Sequence, residues 1–235
     1  ASKGDLLITK TFWGKNIYVL PQNEVVSSNI YSFGLFEPEL TALFIDFLYD
    51  GAVVMDVGAH IGFFSMLASE LVGQTGKVFA FEPTPSTLRV LKMNLQSYFQ
   101  HTIVPSLAWS SEAILDFHDY GIQFSAFNTA VANRLGSEEK NYAKDTCIRV
   151  DAVPLDTFCR DHSIRPDLFK IDVESSEMQV LEGMVQMMDT ARPVVTIEVG
   201  DMESTTKKGV PRSRETLEFI MSFGYLPLVS VVGRY

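Results

Sequence analysis

VVMDVGAHIGFFS, residues 53 to 65, is the stretch on which the fold turns. The apolar run from Ala52 to Val57 has the length and β-branching of a strand buried on both faces. Asp56 closes that strand, Gly58 and Gly62 make a turn, and a helix starts at once over residues 62 to 72, with Phe64, Leu67, Ala68 and Leu71 on one face and Gly73 as its stop. A buried strand, a glycine turn and a helix form the unit of an open α/β sheet. Ligands of such sheets bind beyond the carboxyl ends of the strands, where glycine lets them approach the backbone closely.

The turn also narrows the ligand. A phosphate-binding P-loop needs Lys and then Ser or Thr after its second glycine, and here Phe63 and Phe64 follow Gly62. The dinucleotide fingerprint needs glycines at offsets of two and five, which the spacing of Gly58 and Gly62 misses. A nucleoside without a pyrophosphate remains. Glu82, at the end of the next strand in KVFAFEP, supports it, because an ionised carboxyl can accept hydrogen bonds from ribose hydroxyls. Taken alone, an acidic residue at a strand end can equally cap the next helix.

Outward from this module the chain alternates strands and helices, the pattern of an α/β fold with a mostly parallel central sheet and helices on both faces. Residues 1 to 36 read as an N-terminal extension containing a strand-like Ile17 to Leu20, and residues 37 to 235 as a single domain. Pro38 opens a helix with a stripe of Leu40, Leu43, Phe44, Phe47 and Leu48, and with Glu37 and Glu39 at its positive end. After the strand Lys77 to Phe81 come a helix marked by Leu88, Leu91 and Leu95, a strand from Ile103 to Ala108, and a short strand from Ile114 to His118. From Asp119 to Asp145 the period is lost and the composition turns polar, which marks a functional or mobile stretch. Regularity returns with a helix around Leu155 to Cys159, a strand from Leu168 to Val173, and a helix carrying Met178, Leu181, Val185 and Met188. A strand from Val194 to Val199, a helix from Ser213 to Phe223 closed by Gly224, and a strand around Leu226 to Val232 complete the pattern.

The 235 residues carry 19 Lys and Arg against 29 Asp and Glu, a net charge of −10. Nucleic acid and anionic membranes call for a basic footprint, so neither is expected as a partner. Between Lys15 and Lys77 there is no Lys or Arg, against seven acidic residues, which suits a cofactor that is not held by its phosphates. Cys147 and Cys159 have no second Cys or His pair at zinc spacing and read as two buried thiols in a reducing, cytoplasmic compartment, with no metal site. No apolar run reaches membrane-spanning length. The chain starts at Ala1 without Met, which leaves a targeting segment ahead of it open.

VVMDVGAHIGFFS and FAFEPTPSTLRVLKMNL, followed by DAVPLDTF, LFKIDVESSEMQVLEGM and VVTIEV, resemble the FkbM-type family of S-adenosylmethionine-dependent methyltransferases from about Glu37 to Val199. The resemblance implies a Rossmann-like class I methyltransferase fold, S-adenosylmethionine as cofactor, and methyl transfer to a hydroxyl of a sugar, polyketide or other natural product. It implies that Asp56, Gly58, Ala59, His60, Gly62 and Ser65 surround the methionine part, and that Glu82 holds the ribose beside Pro83 and Thr84. On the same resemblance Leu107, Ala108 and Trp109 border the adenine, and Asp172 faces the sulfonium and the acceptor. The family usually has Gly where Ser175 stands and often Asn where His60 stands. Its fold usually has a seventh main-sheet strand, while this chain ends after six, which suggests C-terminal truncation.

Methyl transfer is an in-line displacement that depends on alignment, and a hydroxyl acceptor must also lose a proton. Asp172, Glu198 and His60 are the candidate bases, with Glu174 as a further carboxylate that could equally charge a helix N-terminus. His60 could instead serve only through its backbone N–H. Trp109 could stack on adenine or fill the core. Phe63, Phe64 and the methionines at 178, 184, 187 and 188 read as core, and His101, His118 and His162 as surface or loop residues. Lys207, Lys208, Arg212 and Arg214 form a basic cluster that is either a solvated loop or a contact for an anionic or carrier-bound acceptor. N- or C-methylation on the same scaffold, or a cofactor-binding module without catalysis, are the competing readings.

Overall fold

A computed structural model describes residues 6–21, 24–130, 145–199 and 213–228. The quoted stretch forms β3 (Val53–Val57), a turn and α3 (Phe63–Leu71). The sequence runs on through β4 (Lys77–Phe81), α4 (Pro85–Leu95) and β5 (His101–Val104), and later through α5 (Leu155–Asp161), β9 (Leu168–Ile171), α6 (Glu177–Glu182), β10 (Val194–Ile197) and α7 (Ser213–Ser222). The five main strands lie in the order β10-β9-β3-β4-β5, and each described pair is parallel.

Alternation along the strands explains why both faces are covered. Val54, Val78, Ala80 and Leu168 pack into one cluster with Phe44, Phe64, Leu67 and Leu91. Met55, Val57, Phe79, Phe81, Phe169 and Ile171 pack into the other with Leu155, Phe158, Leu181 and Ile220. Asp56 and Lys170 follow the same alternation onto the first face, and the register sets them side by side.

The N-terminal residues are more structured than an extension containing one strand. β1 (Leu7–Lys10) and β2 (Asn16–Val19) form a hairpin, and α1 (Val25–Phe33) is capped by Glu24, whose carboxylate accepts the N–H groups of Val26 and Ser27. Ile17, Val19, Leu20 and Ile30 belong to the same core cluster as α2 (Pro38–Phe47) and α3. Asn94 on α4 ties this hairpin to the glycine turn: its amide donates to the carbonyls of Tyr18 and Ile61 at 2.9 and 2.7 Å, and its Oδ1 accepts the Tyr18 N–H at 2.7 Å.

The strand expected over Ile103 to Ala108 is two strands. Pro105 has no N–H for the ladder, so the chain leaves the main sheet after Val104, and β6 (Leu107–Ala108) joins a second sheet. That sheet, in the order β6-β8-β7, contains β7 (Ala113–Asp119) and β8 (Thr146–Val153), an element the sequence reading passed over. α6 is shorter than the helix expected to carry Met178, Leu181, Val185 and Met188. It ends at Gly183, whose place against the Trp109 carbonyl leaves no room for a Cβ, and a π-helical turn follows at Met187–Ala191. Of the two thiols only Cys159 is buried, and burial pushes its pKa up to about 12; Cys147 is exposed. Leu226 to Leu228 are not in a strand, and the rest of the strand read to Val232 lies outside the described residues, as do Lys207, Lys208 and Arg212. Among the described residues no helix is long and apolar enough to cross a membrane.

Candidate active site

Because the strands are parallel, their carboxyl ends open on one cleft of about 270 Å³. Its floor is the turn after β3. Gly58 and Ala59 donate to the Phe81 carbonyl at 3.1 and 2.9 Å, which seats the turn on β4. Gly58 has φ 83°, and a Cβ there would run into the Asp172 carbonyl oxygen, so only glycine lets the ends of β3 and β9 approach this closely. Gly62, with φ 90°, turns the chain into α3.

Asp56 and Ser65 lie beneath the turn. Both are fully buried, the Ser65 hydroxyl donates to Asp56 Oδ2 at 2.5 Å, and neither lines the cleft. Asp56 Oδ1 has no hydrogen-bond partner, and the ammonium of Lys170 stands 3.6 Å away. Lys170 is 4% exposed. Its Nζ also donates to Asp172 Oδ2 at 3.2 Å and to the Gly58 carbonyl at 3.3 Å, and lies 5.5 Å from the Phe64 ring centroid. Burial works against this charge, but Asp172, Asp56 and Glu37 more than offset it and raise the lysine pKa above its ordinary value.

Asp172 is half-buried at the end of β9, and Glu198 is beside it after β10. Burial works to raise the Asp172 pKa, but the Lys170 ammonium and a hydrogen bond from Glu198 outweigh it, so Asp172 stays below its ordinary value. The same hydrogen bond, then burial and the Asp172 charge, push Glu198 up to about 8. The two carboxyls therefore titrate as a pair. Glu174 joins them, with carboxylate oxygens of all three within 4.8 Å of one another, and Glu37 also lines the cleft. Burial raises the Glu37 pKa, helped by Asp172 and Asp56. This wall favours a cationic or hydroxyl-bearing group over an anion.

On the opposite wall, Glu82 is 5% exposed. Its Oε1 accepts the Thr84 N–H and the Thr87 hydroxyl, and its Oε2 the His60 N–H, each at 2.8 Å. The Thr84 hydroxyl also hydrogen-bonds this carboxylate, so a ligand donor at Glu82 would take the place of a hydroxyl of the protein. Burial raises the Glu82 pKa, while His60 and these donors act to lower it. The roof is a 3₁₀ turn, Ile122–Phe127, from the polar stretch between β7 and β8; Ser125, Ala126, Phe127 and Asn128 line the cleft.

A model described as the methyltransferase FkbM domain matches residues 56–227. The chain belongs to the FkbM methyltransferase family. A hexuronic acid methyltransferase from Haloferax volcanii is 27% identical over 174 residues, covering 73% of this chain and 66% of the relative. This FkbM chain thus spans just under two thirds of that relative's length. A probable cobalt-precorrin-6B C(15)-methyltransferase (decarboxylating) from Sulfurisphaera tokodaii is 28% identical over 140 residues, 58% of this chain and 71% of the relative. Among solved structures, the precorrin-6y C5,15-methyltransferase of Geobacter metallireducens GS-15 is similar at 17% identity, covering 82% of this chain and 74% of that one, with a TM-score of 0.48.

Within the FkbM fold the structure gathers Gly58, Ala59, His60, Glu82, Pro83, Thr84, Ala108, Asp172 and Glu198 around one cleft. It sets Asp56, Ser65 and Gly62 behind the wall as braces. Trp109 is not a cleft residue: its N–H pairs with the Val153 carbonyl and its ring packs on the small sheet. His118 lies on β7 and meets Asp145 at 2.9 Å. Arg214, from the basic cluster, pairs with Glu218 at 3.9 Å. His60 and Ser175, the two departures from the family pattern, have φ of 51° and 77°, where Asn and Gly are most at ease. Lys170, Ser125 and Asn128 were missed; a lysine inside an otherwise apolar strand, LFKI, was the signal for the first.

Proposed function

We propose that this FkbM chain is an S-adenosylmethionine-dependent O-methyltransferase acting on a hydroxyl of a sugar or another small natural product. When bound, S-adenosylmethionine supplies an electrophilic methyl group on a cationic sulfur. The cleft fits such a group: it has a glycine floor that a Cβ would fill, a buried carboxylate at Glu82 whose hydroxyl donors a ribose hydroxyl could replace, and a carboxylate wall. Glu82 would hold the ribose, and the backbone around Gly58 to His60 the methionine part. The Asp172 and Glu198 pair takes the acceptor's proton as the oxygen becomes a nucleophile, and Lys170 keeps Asp172 ionised for that task.

The observation that carries the choice of oxygen is the cluster of Asp172, Glu174 and Glu198, with carboxylate oxygens within 4.8 Å of one another at the cleft, since a hydroxyl needs a base and a positioned one contributes roughly 10² to 10⁴ in rate. The acidic wall and the net charge of −10 speak against a nucleic acid acceptor. Sugar methylation by the Haloferax relative gives the acceptor class its first candidates. Calorimetric titration with S-adenosylmethionine and S-adenosylhomocysteine, then a methyl-donor assay over sugars, polyketides and amines, tests the reading. Binding of both cofactors and transfer to a hydroxyl are expected; failure to bind either would sink it, and transfer only to nitrogen or carbon would redirect it.

A further inference from the structure

Ser125 and Asn128 stand outside every strand and motif of the nucleoside-binding reading, yet they are only 4% and 8% exposed. Polar side chains are seldom buried without partners. These two find theirs on the neighbours of one carboxylate. Ser125 Oγ is 2.8 Å from His60 Nε2. Asn128 Nδ2 donates to Thr84 Oγ1 at 3.3 Å, and its Oδ1 accepts the Tyr120 N–H at 2.8 Å. The backbone N–H groups of the same His60 and Thr84 are the ones that hold the two oxygens of Glu82. The segment is tied down a third time where the Thr129 hydroxyl donates to the Glu174 carbonyl at 2.7 Å.

We propose that Ser125 and Asn128 are positioning residues for nucleoside binding. They clamp His60 and Thr84 from outside the main sheet and so fix where Glu82 presents its carboxylate to a ligand. The clamp is needed because His60 sits at φ 51°, an uncommon conformation for a residue other than glycine, and the Thr84 backbone N–H is held within its own loop, by Glu82 Oε1 two residues away. A carboxylate held from two sides can meet a ribose hydroxyl without reorganising, whereas one that swings loses most of that contact. This inference rests on the reading of Glu82 as the ribose ligand.

The test measures dissociation constants for S-adenosylhomocysteine and for its 2′-deoxy and 3′-deoxy analogues. A hydrogen bond to a charged acceptor should make wild type bind at least one analogue about 10- to 100-fold more weakly than the parent. Ser125→Ala and Asn128→Ala should each weaken the parent roughly tenfold, move the disfavoured analogue less than about twofold, and so erase most of the ribose preference. Asn128→Ala and Thr84→Val should be non-additive, since both remove the Asn128 to Thr84 contact, while Thr84→Val also removes the hydroxyl's bond to Glu82. Equal weakening of parent and analogue, or an unchanged preference, would overturn the clamp while leaving Glu82 as ribose ligand intact. A wild type without any ribose preference would overturn the Glu82 reading, and the clamp with it. Ser125→Ala removes a single oxygen and Thr84→Val is isosteric, so the test survives if Asn128→Ala does not fold.

Discussion

Replacing Lys170 with Met removes the charge that faces both Asp56 and Asp172 and keeps most of the side chain's volume. At an effective dielectric of about 20, unit charges separated by the observed 3.2 and 3.6 Å attract by roughly 5 kcal/mol each. Desolvation of the ammonium takes back several kcal/mol, so the measured loss should be about 3–5 kcal/mol, the usual cost of breaking a buried pair from one side. The pH dependence identifies the cause. In wild type Asp172 lies below its ordinary pKa, so its contribution is present above the unfolded carboxyl pKa near 4 and is lost as pH falls through the lower folded value. Without the ammonium, burial of Asp172 loses its main opponent and the folded pKa of Asp172 rises. The folded variant then holds a proton there more readily and gains stability as pH falls. The gap between the two proteins should therefore be wide at pH 8 and narrower at pH 5.5, read as urea midpoints at equal slope. A variant within about 1 kcal/mol of wild type at pH 8, or a gap that does not change with pH, would refute the buried-cation account.

With Glu198 at about 8, turnover should climb with pH through an apparent pKa near 8 as the Asp172 and Glu198 pair gives up its proton and becomes the stronger base. Glu198→Gln should lower kcat by roughly 10²-fold or more and flatten that climb; an unchanged pH profile would remove the pair from the proton transfer. Gly58→Ala places a Cβ against the Asp172 carbonyl and costs left-handed strain besides. It should destabilise the fold by at least about 2 kcal/mol and abolish measurable S-adenosylhomocysteine binding in calorimetry, and a variant of wild-type affinity would contradict the tight β3 to β9 approach.

The module from β3 to α4 was legible because its signals are local. A buried run, a glycine turn, a 3.6-residue stripe and the stop at Gly73 all lie within a few residues of what they determine. β8 was missed for a different reason. Ile148, Val150 and Ala152 do alternate with outward-facing Arg149 and Asp151, but the strand is pinned by β7 and β6, two elements far away in sequence, and it borders a polar stretch. The hairpin of β1 and β2 likewise gains its support from α4 through Asn94, which no window around residue 18 contains. Pro105 was readable, since a proline inside a six-residue run should have divided it.

At the site, the carboxylates could be read because each ends a strand, and parallel strands bring their ends together whatever their order. Lys170 could not be placed that way. Its meaning depends on β9 lying beside β3 in the register that sets residue 170 against residue 56, and strand order is not written in any single strand. The charge pattern misled in the same way: the stretch between Lys15 and Lys77 has no Lys or Arg of its own, yet Asp56 within it is answered by an ammonium delivered from another strand. That cation holds the Gly58 carbonyl as well as both carboxylates, so one side chain joins the cofactor floor to the wall that carries the base. Loss of Lys170 should therefore disturb cofactor affinity and proton transfer together, whereas Glu198→Gln should disturb proton transfer alone.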